Sequence, residues 1–122
     1  MNSYTAPTSA PEDFHVVAIN RSAIEVQWEL PPLDSRGGII RGYKLFVQPA
    51  TGVEEMLINI PNNATDVYIV GGLEQATSYR FSVLAYTRVG DGPRSIHLTI
   101  ATLSKHKYYL QLNIYTLSEH LI

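Results

Sequence analysis

The sequence predicts an all-β fold, a two-sheet sandwich of seven short strands followed by an apolar tail. Three observations carry this. Ile24, Val26 and Trp28 alternate strictly with Glu25, Gln27 and Glu29, the periodicity of a strand with one buried face. Short apolar segments recur between turn signals such as Pro31-Pro32, Asp34-Ser35-Arg36-Gly37-Gly38 and Pro61-Asn62-Asn63. Finally, Leu73-Glu74-Gln75-Ala76-Thr77-Ser78-Tyr79 leads into Arg80-Phe81-Ser82-Val83-Leu84-Ala85. This sets a tyrosine at the mouth of a strand, where its hydroxyl is expected to bond back to the preceding turn and close a corner of the sandwich.

The elements follow in order. Residues 1–10 are polar and carry Pro7, so they read as an extended linker, with the domain expected over residues 11–104. The first strand should turn Phe14, Val16 and Ile19 inward. The second, from Ile24 to Glu29, ends at Pro31-Pro32 because proline donates nothing to a sheet ladder. In the third, Tyr43, Leu45 and Val47 alternate with Lys44, Phe46 and Gln48 up to Pro49. A fourth covers residues 54–60. A fifth, residues 66–70, is apolar at nearly every position, and counting back from Leu73 places Tyr68 and Val70 inward. Residues 77–87 and 94–102 supply the last two strands. Trp28, Tyr43, Leu73 and Tyr79 are expected in the structural core, where Trp28→Ala or Tyr79→Ala should cost about 3–5 kcal/mol.

Composition narrows the function. A chain of 122 residues has room for one domain. Its net charge of −2, from nine basic and eleven acidic residues, provides no field that selects nucleic acid or an anionic membrane. With no cysteine there is neither a disulfide framework nor a thiolate metal site. His15, His97, His106 and His120 are scattered, and no Ser, His and acid set, phosphate-cradling glycine loop or metal-ligand spacing occurs. No catalytic residue, cofactor or metal is therefore expected. No apolar run approaches the roughly 20 residues that span a bilayer, so direct membrane insertion is not expected either. The start of the chain lacks the pattern of a secretory leader, which suggests an intracellular protein or, preferably, a piece of a larger one.

In their order and spacing, Pro11, Phe14, Val16, Ile24, Val26, Trp28 and Pro31, then Gly42-Tyr43 with Leu45 and Val47, then Leu73, Tyr79 and Gly90-Asp91-Gly92-Pro93 resemble a fibronectin type III domain over residues 11–104. The resemblance implies a seven-stranded, immunoglobulin-like Greek-key β-sandwich with an extra C-terminal tail. It also implies a non-catalytic spacer and protein-interaction module of a multidomain cell-surface receptor or adhesion protein, placed outside the cell. The alternatives are an intracellular, cytoplasmic structural module, or an accessory module of a larger enzyme such as a receptor phosphatase. Two positions depart from the family pattern: Gln75 stands where proline is frequent and Thr87 where asparagine is frequent, and both turns are expected to be softer.

The candidate sites are surface features. Asn20-Arg21-Ser22 and Asn63-Ala64-Thr65 match the N-glycosylation acceptor pattern in predicted turns, making Asn20 and Asn63 glycosylation candidates. Arg88-Val89-Gly90-Asp91 contains no Arg-Gly-Asp tripeptide, and Gly90 and Gly92 read as suppliers of positive φ for a tight hairpin. If the third and sixth strands turn Tyr43, Leu45, Val47, Phe81, Val83 and Ala85 inward, then Phe46, Leu84 and Tyr86 form an outward apolar stripe. That stripe, with Lys44, Arg80, Arg88 and Asp91, is the expected surface for a protein partner or for neighbouring domains of the same chain. Serine at Phe46 and Tyr86 should then leave stability nearly unchanged. Residues 105–122 carry both strand-like and helix-like apolar spacing. The open readings are that they cover the stripe, pair with a sheet edge, self-associate by swapping into a second copy, or stay unstructured.

Overall fold

Ile24, Val26 and Trp28 are all buried, as their alternation requires, and the same rule repeated along the chain builds two layers. The computed structural model describes residues 4–104. It contains β1 (Glu12–Ala18), β2 (Ile24–Glu29), β3 (Gly42–Pro49), β4 (Met56–Ile60), β5 (Val67–Val70), β6 (Ser78–Tyr86) and β7 (Leu98–Ala101). A three-stranded sheet has the order β1-β2-β5 and a four-stranded sheet the order β4-β3-β6-β7, with every pairing antiparallel. This is the seven-stranded immunoglobulin-like sandwich.

The core lies between the sheets. Trp28 and Tyr43 meet across it with ring centroids 5.3 Å apart, surrounded by Leu45, Val47, Val70, Phe81 and Val83. Leu73 and Tyr68 pack half-buried against this cluster. Tyr79 closes the corner: the Glu74 N–H donates to its hydroxyl at 2.9 Å. The turn is tied further from β7's far end, where Thr77 N–H donates to Thr102 Oγ1 at 3.1 Å and Thr102 N–H to the Thr77 carbonyl at 3.0 Å. Gln75 thus sits in a turn bonded by Tyr79 and by Thr102.

Three expectations are corrected. Ile19 is exposed, because β1 ends at Ala18 and its inward set is Phe14, Val16 and Ala18, one step out of phase with Ile19. The seventh strand is shorter than residues 94–102. Gly90 and Gly92 do not have positive φ, which in the glycines occurs at Gly37, Gly38 and Gly72.

A fourth difference concerns the segment before Pro11. It is docked, not free. Thr5 N–H donates to the Gly37 carbonyl at 2.8 Å, Thr8 N–H to the Ser35 carbonyl at 2.9 Å, and Thr87 Oγ1 to the Thr5 carbonyl at 2.7 Å, while Pro7 is buried. Two glycines make this possible. A Cβ on Gly37 would lie 2.5 Å from Thr5 Oγ1, and one on Gly92 would lie 2.8 Å from the Pro7 Cβ. Thr87, which also accepts the Val89 N–H at 3.2 Å, organises its turn and holds this strap. The tail, with His106, His120 and the self-association assigned to it, lies outside the described residues.

Candidate functional site

Register places Lys44 opposite Leu84, Phe46 opposite Ser82 and Gly42 opposite Tyr86 on the outer face of β3 and β6. The facing expected from alternation is the one observed; the exposure is not. Phe46 is 8% exposed and Leu84 4%, and Tyr86 is half-buried. The apolar stripe is covered by charged side chains instead of open to solvent.

Arg94 is the main cover. Its guanidinium carbon lies 3.4 Å from the Phe46 ring centroid. It is held there by a two-pronged bond to Glu55, Nη1 to Oε2 at 2.8 Å and Nη2 to Oε1 at 2.9 Å. That hydrogen bond holds the Glu55 carboxyl below the ordinary glutamate range. Lys44 repeats the arrangement one step along, its ammonium 5.6 Å from the Tyr86 ring centroid and 2.9 Å from Asp91 Oδ2. The Tyr86 hydroxyl donates to Asn59 Oδ1 at 3.3 Å. Leu57, opposite Phe46 on β4, is 51% exposed on the same face.

Of the remaining contact candidates, Arg80 lies farther along the same outer face, opposite Gln48, and Arg88 lies against the strap. Arg80 Nη2 donates to the Ala50 carbonyl at 3.2 Å, and Arg88 stacks on the strap, 4.8 Å from the Tyr4 ring centroid. The sequence points to Arg94 only as the end of the Arg88 to Arg94 loop, a candidate contact loop, and does not point to Glu55. Arg94 lies in an irregular stretch fixed by Ser95, whose N–H donates to the Val83 carbonyl at 2.8 Å and whose Oγ accepts the Val83 N–H at 3.0 Å. No periodicity marks such a segment.

The two asparagines differ. Asn20 is exposed in the β1–β2 turn, and its Oδ1 accepts the Ser22 N–H at 2.8 Å. Asn63 is also exposed, but its amide is engaged: Nδ2 donates to the Ile40 carbonyl at 2.8 Å, and its own backbone carbonyl accepts the Tyr43 hydroxyl at 3.2 Å.

A groove at this same end is lined by Glu12, Glu29, Arg36, Tyr43, Asn63 and Asp66 among others. Beside it, a hydrogen bond to Asp13, with that group's charge, holds Glu29 above the ordinary glutamate range. Burial raises the Tyr43 phenol. Among the described residues no group of three His, Cys, Asp or Glu is placed to hold a metal ion, and no helix is long and apolar enough to cross a membrane.

A sandwich closed by a tyrosine at this corner, whose organised polar surface is a sheet face, defines a class: the immunoglobulin-like β-sandwich modules. Within it, the Fibronectin type III domain model matches residues 9–101, and the chain belongs to the fibronectin type III family. It is 34% identical over 100 residues to Receptor-type tyrosine-protein phosphatase F of Danio rerio, covering 80% of this chain and 5% of that protein. It is 32% identical over 89 residues to Cell adhesion molecule Dscam2 of Drosophila melanogaster, covering 70% and 4%. The crystal structure of the FN5 domain of Drosophila Lar superposes with a TM-score of 0.64 at 32% identity, over 80% of this chain and 98% of that one. The chain is thus homologous to a module of cell-surface receptors and adhesion proteins and spans a small fraction of their length. The fibronectin type III domain is itself a non-catalytic module.

Proposed function

We propose that this chain is a spacer and protein-contact module in the extracellular part of a cell-surface receptor or adhesion protein, and that it performs no catalysis. The observation that carries the reading is family membership across the whole sandwich, together with relatives named as a receptor and a cell adhesion molecule. The geometry gives it a mechanism. The docked strap sets the direction in which the chain meets the sandwich, and the corner bonds of Tyr79 and Thr102 fasten the opposite end. A rigid body held at both ends spaces whatever it joins.

The contact surface is the outer face of β3, β4 and β6, now understood as a charged lattice over buried apolar residues. Lys44, Asp91, Arg94 and Glu55 remain partly exposed while paired, and Leu57 and Tyr86 lie among them. Side chains already held by internal pairs lose little freedom when a partner docks, which favours binding. The test is labelling of cells that carry the native parent protein, with an antibody against residues 4–104, before and after permeabilisation. Staining of intact cells is expected. Staining only after permeabilisation overturns the extracellular assignment in favour of an intracellular scaffold.

A further inference from the structure

We infer that Asn20 carries an N-linked glycan and that Asn63, despite an equally good tripeptide, does not. The inference rests on the extracellular reading and adds to it a modification site and its position. Both tripeptides present the same atoms in sequence: an amide nitrogen as nucleophile and a hydroxyl two residues on. They differ in what the amide does in the fold.

At Asn20 both side-chain hydrogen bonds are received by Oδ1, from the Ser22 N–H at 2.8 Å and the Ser22 hydroxyl at 3.3 Å. Nδ2 is left without a bond among the described residues, on an exposed residue in an exposed turn. The backbone beneath is anchored, since Leu103 N–H donates to the Asn20 carbonyl at 3.2 Å and Leu73 N–H to the Ser22 carbonyl at 2.9 Å. A sugar on Nδ2 therefore displaces nothing. Asn63 is exposed as well, but one of its two Nδ2 hydrogens is donated to the Ile40 carbonyl at 2.8 Å, and Ile40 is buried. A sugar on that nitrogen has to share it with the bond that ties the β4–β5 turn to the loop before β3, a constraint that Asn20 does not carry.

The chemistry balances without any redox partner. The donor class is an oligosaccharide joined through its anomeric carbon to a lipid pyrophosphate. A bond forms between Asn20 Nδ2 and that carbon, the anomeric C–O bond breaks, and the lipid pyrophosphate leaves with the electron pair. One amide proton passes to the transferase's base.

The placement has a consequence. Asn20 lies at the end of the sandwich away from the strap, next to exposed Ile19 and, on the same side of β1, exposed Val17. A glycan there screens part of the edge of the three-stranded sheet, where unpaired backbone groups and apolar side chains invite strand addition. The contact lattice on the other sheet stays uncovered.

The test expresses the full chain behind a secretion leader in cultured animal cells and maps occupied asparagines by mass spectrometry after amidase release. One glycan is expected, at Asn20, lost in Asn20→Gln and in Ser22→Ala, and retained in Asn63→Gln. Thr65→Ala removes the second tripeptide without touching the Asn63 amide, so a fold lost in Asn63→Gln does not confuse the result. A glycan on Asn63, or an unoccupied Asn20 in the secreted chain, overturns the inference. Because the leader forces entry into the secretory pathway, this failure is separate from that of the extracellular reading, which the cell labelling decides.

Discussion

The Arg94 guanidinium lies flat enough on Phe46 to bring its central carbon within 3.4 Å of the ring centroid, while both its terminal nitrogens bond Glu55. One side chain thus joins the segment before β7 to β3 and to the approach to β4, and shields an aromatic ring that faces away from the core. Arginine suits the position because its planar fork stacks and pairs at once. A double-mutant cycle of Arg94→Ala and Phe46→Leu is expected to give a coupling of about 0.5–1 kcal/mol, at the exposed end of the range for cation–π contacts. Arg94→Lys should recover less than half of it. Urea unfolding curves for the four proteins measure the coupling, and additive losses would show that the stacking contributes nothing.

Phe46→Ser should destabilise the domain by about 2–4 kcal/mol, since it removes a large buried ring and leaves a hydroxyl under Arg94. Tyr86→Ser, at a half-buried position, should cost less. The order of the two midpoints in urea is the readout, and it replaces the expectation that both changes are neutral.

Tyr79→Phe leaves the Glu74 N–H without its acceptor at a part-buried site, with an expected cost of about 1–2 kcal/mol. Hydrogen exchange should show the Glu74 amide losing protection while the β3–β6 pairing keeps its own. Equal loss throughout would mean that the corner is not a separable unit.

Gly92→Ala drives a methyl group to 2.8 Å from the Pro7 Cβ, with backbone oxygens of Ala85 and Pro7 each 3.1 Å away. The strap is expected to lift, at about 1–3 kcal/mol for such overpacking. Limited proteolysis within residues 4–10 should become faster, and Thr87→Val, which deletes the donor to the Thr5 carbonyl, should act in the same direction. Unchanged cleavage in both variants would show that the strap is held by something else.

Two glutamates should give opposite pH dependence. Glu55, held below the ordinary value of 4.5 by Arg94, contributes stability that is complete above 4.5 and lost as pH falls through its lower folded value. Glu29, raised above 4.5 by Asp13, does the reverse: its ionised form is penalised as pH rises from 4.5 through its higher folded value. Glu55→Gln should therefore destabilise at pH 7 and Glu29→Gln stabilise, the first difference fading only as pH falls through the lowered folded value of Glu55 and the second being gone once pH is below 4.5. Melting temperatures at neutral and acid pH check the signs.

Much of the sandwich is legible in the chain because side-chain direction along a strand is a local property. Alternation alone assigns Ile24, Val26, Trp28, Tyr43, Leu45 and Val47 to the core and Phe46 and Leu84 to the opposite side, and Tyr79 marks its corner by position. Ile19 fails because alternation holds only within a strand, and no local signal says that β1 stops at Ala18. Direction, however, is not burial. What covers Phe46 comes from a bond between residues 39 apart in sequence, and what holds the strap comes from one between residues 82 apart. Arg94 and Thr87 stand only at the ends of the expected strands 94–102 and 77–87, where alternation says nothing of a distant partner. The same division separates the two asparagines: the acceptor tripeptide is written locally, but Asn63 meets Ile40 only when the β4–β5 turn closes over the loop before β3. The sequence by itself determined the strands, their faces and the family they compose, because these follow from short-range stereochemistry and apolar patterning. The tertiary structure decided which surface is open, which charges are paired and which nitrogen is free, because those depend on contacts that exist only once distant segments have packed.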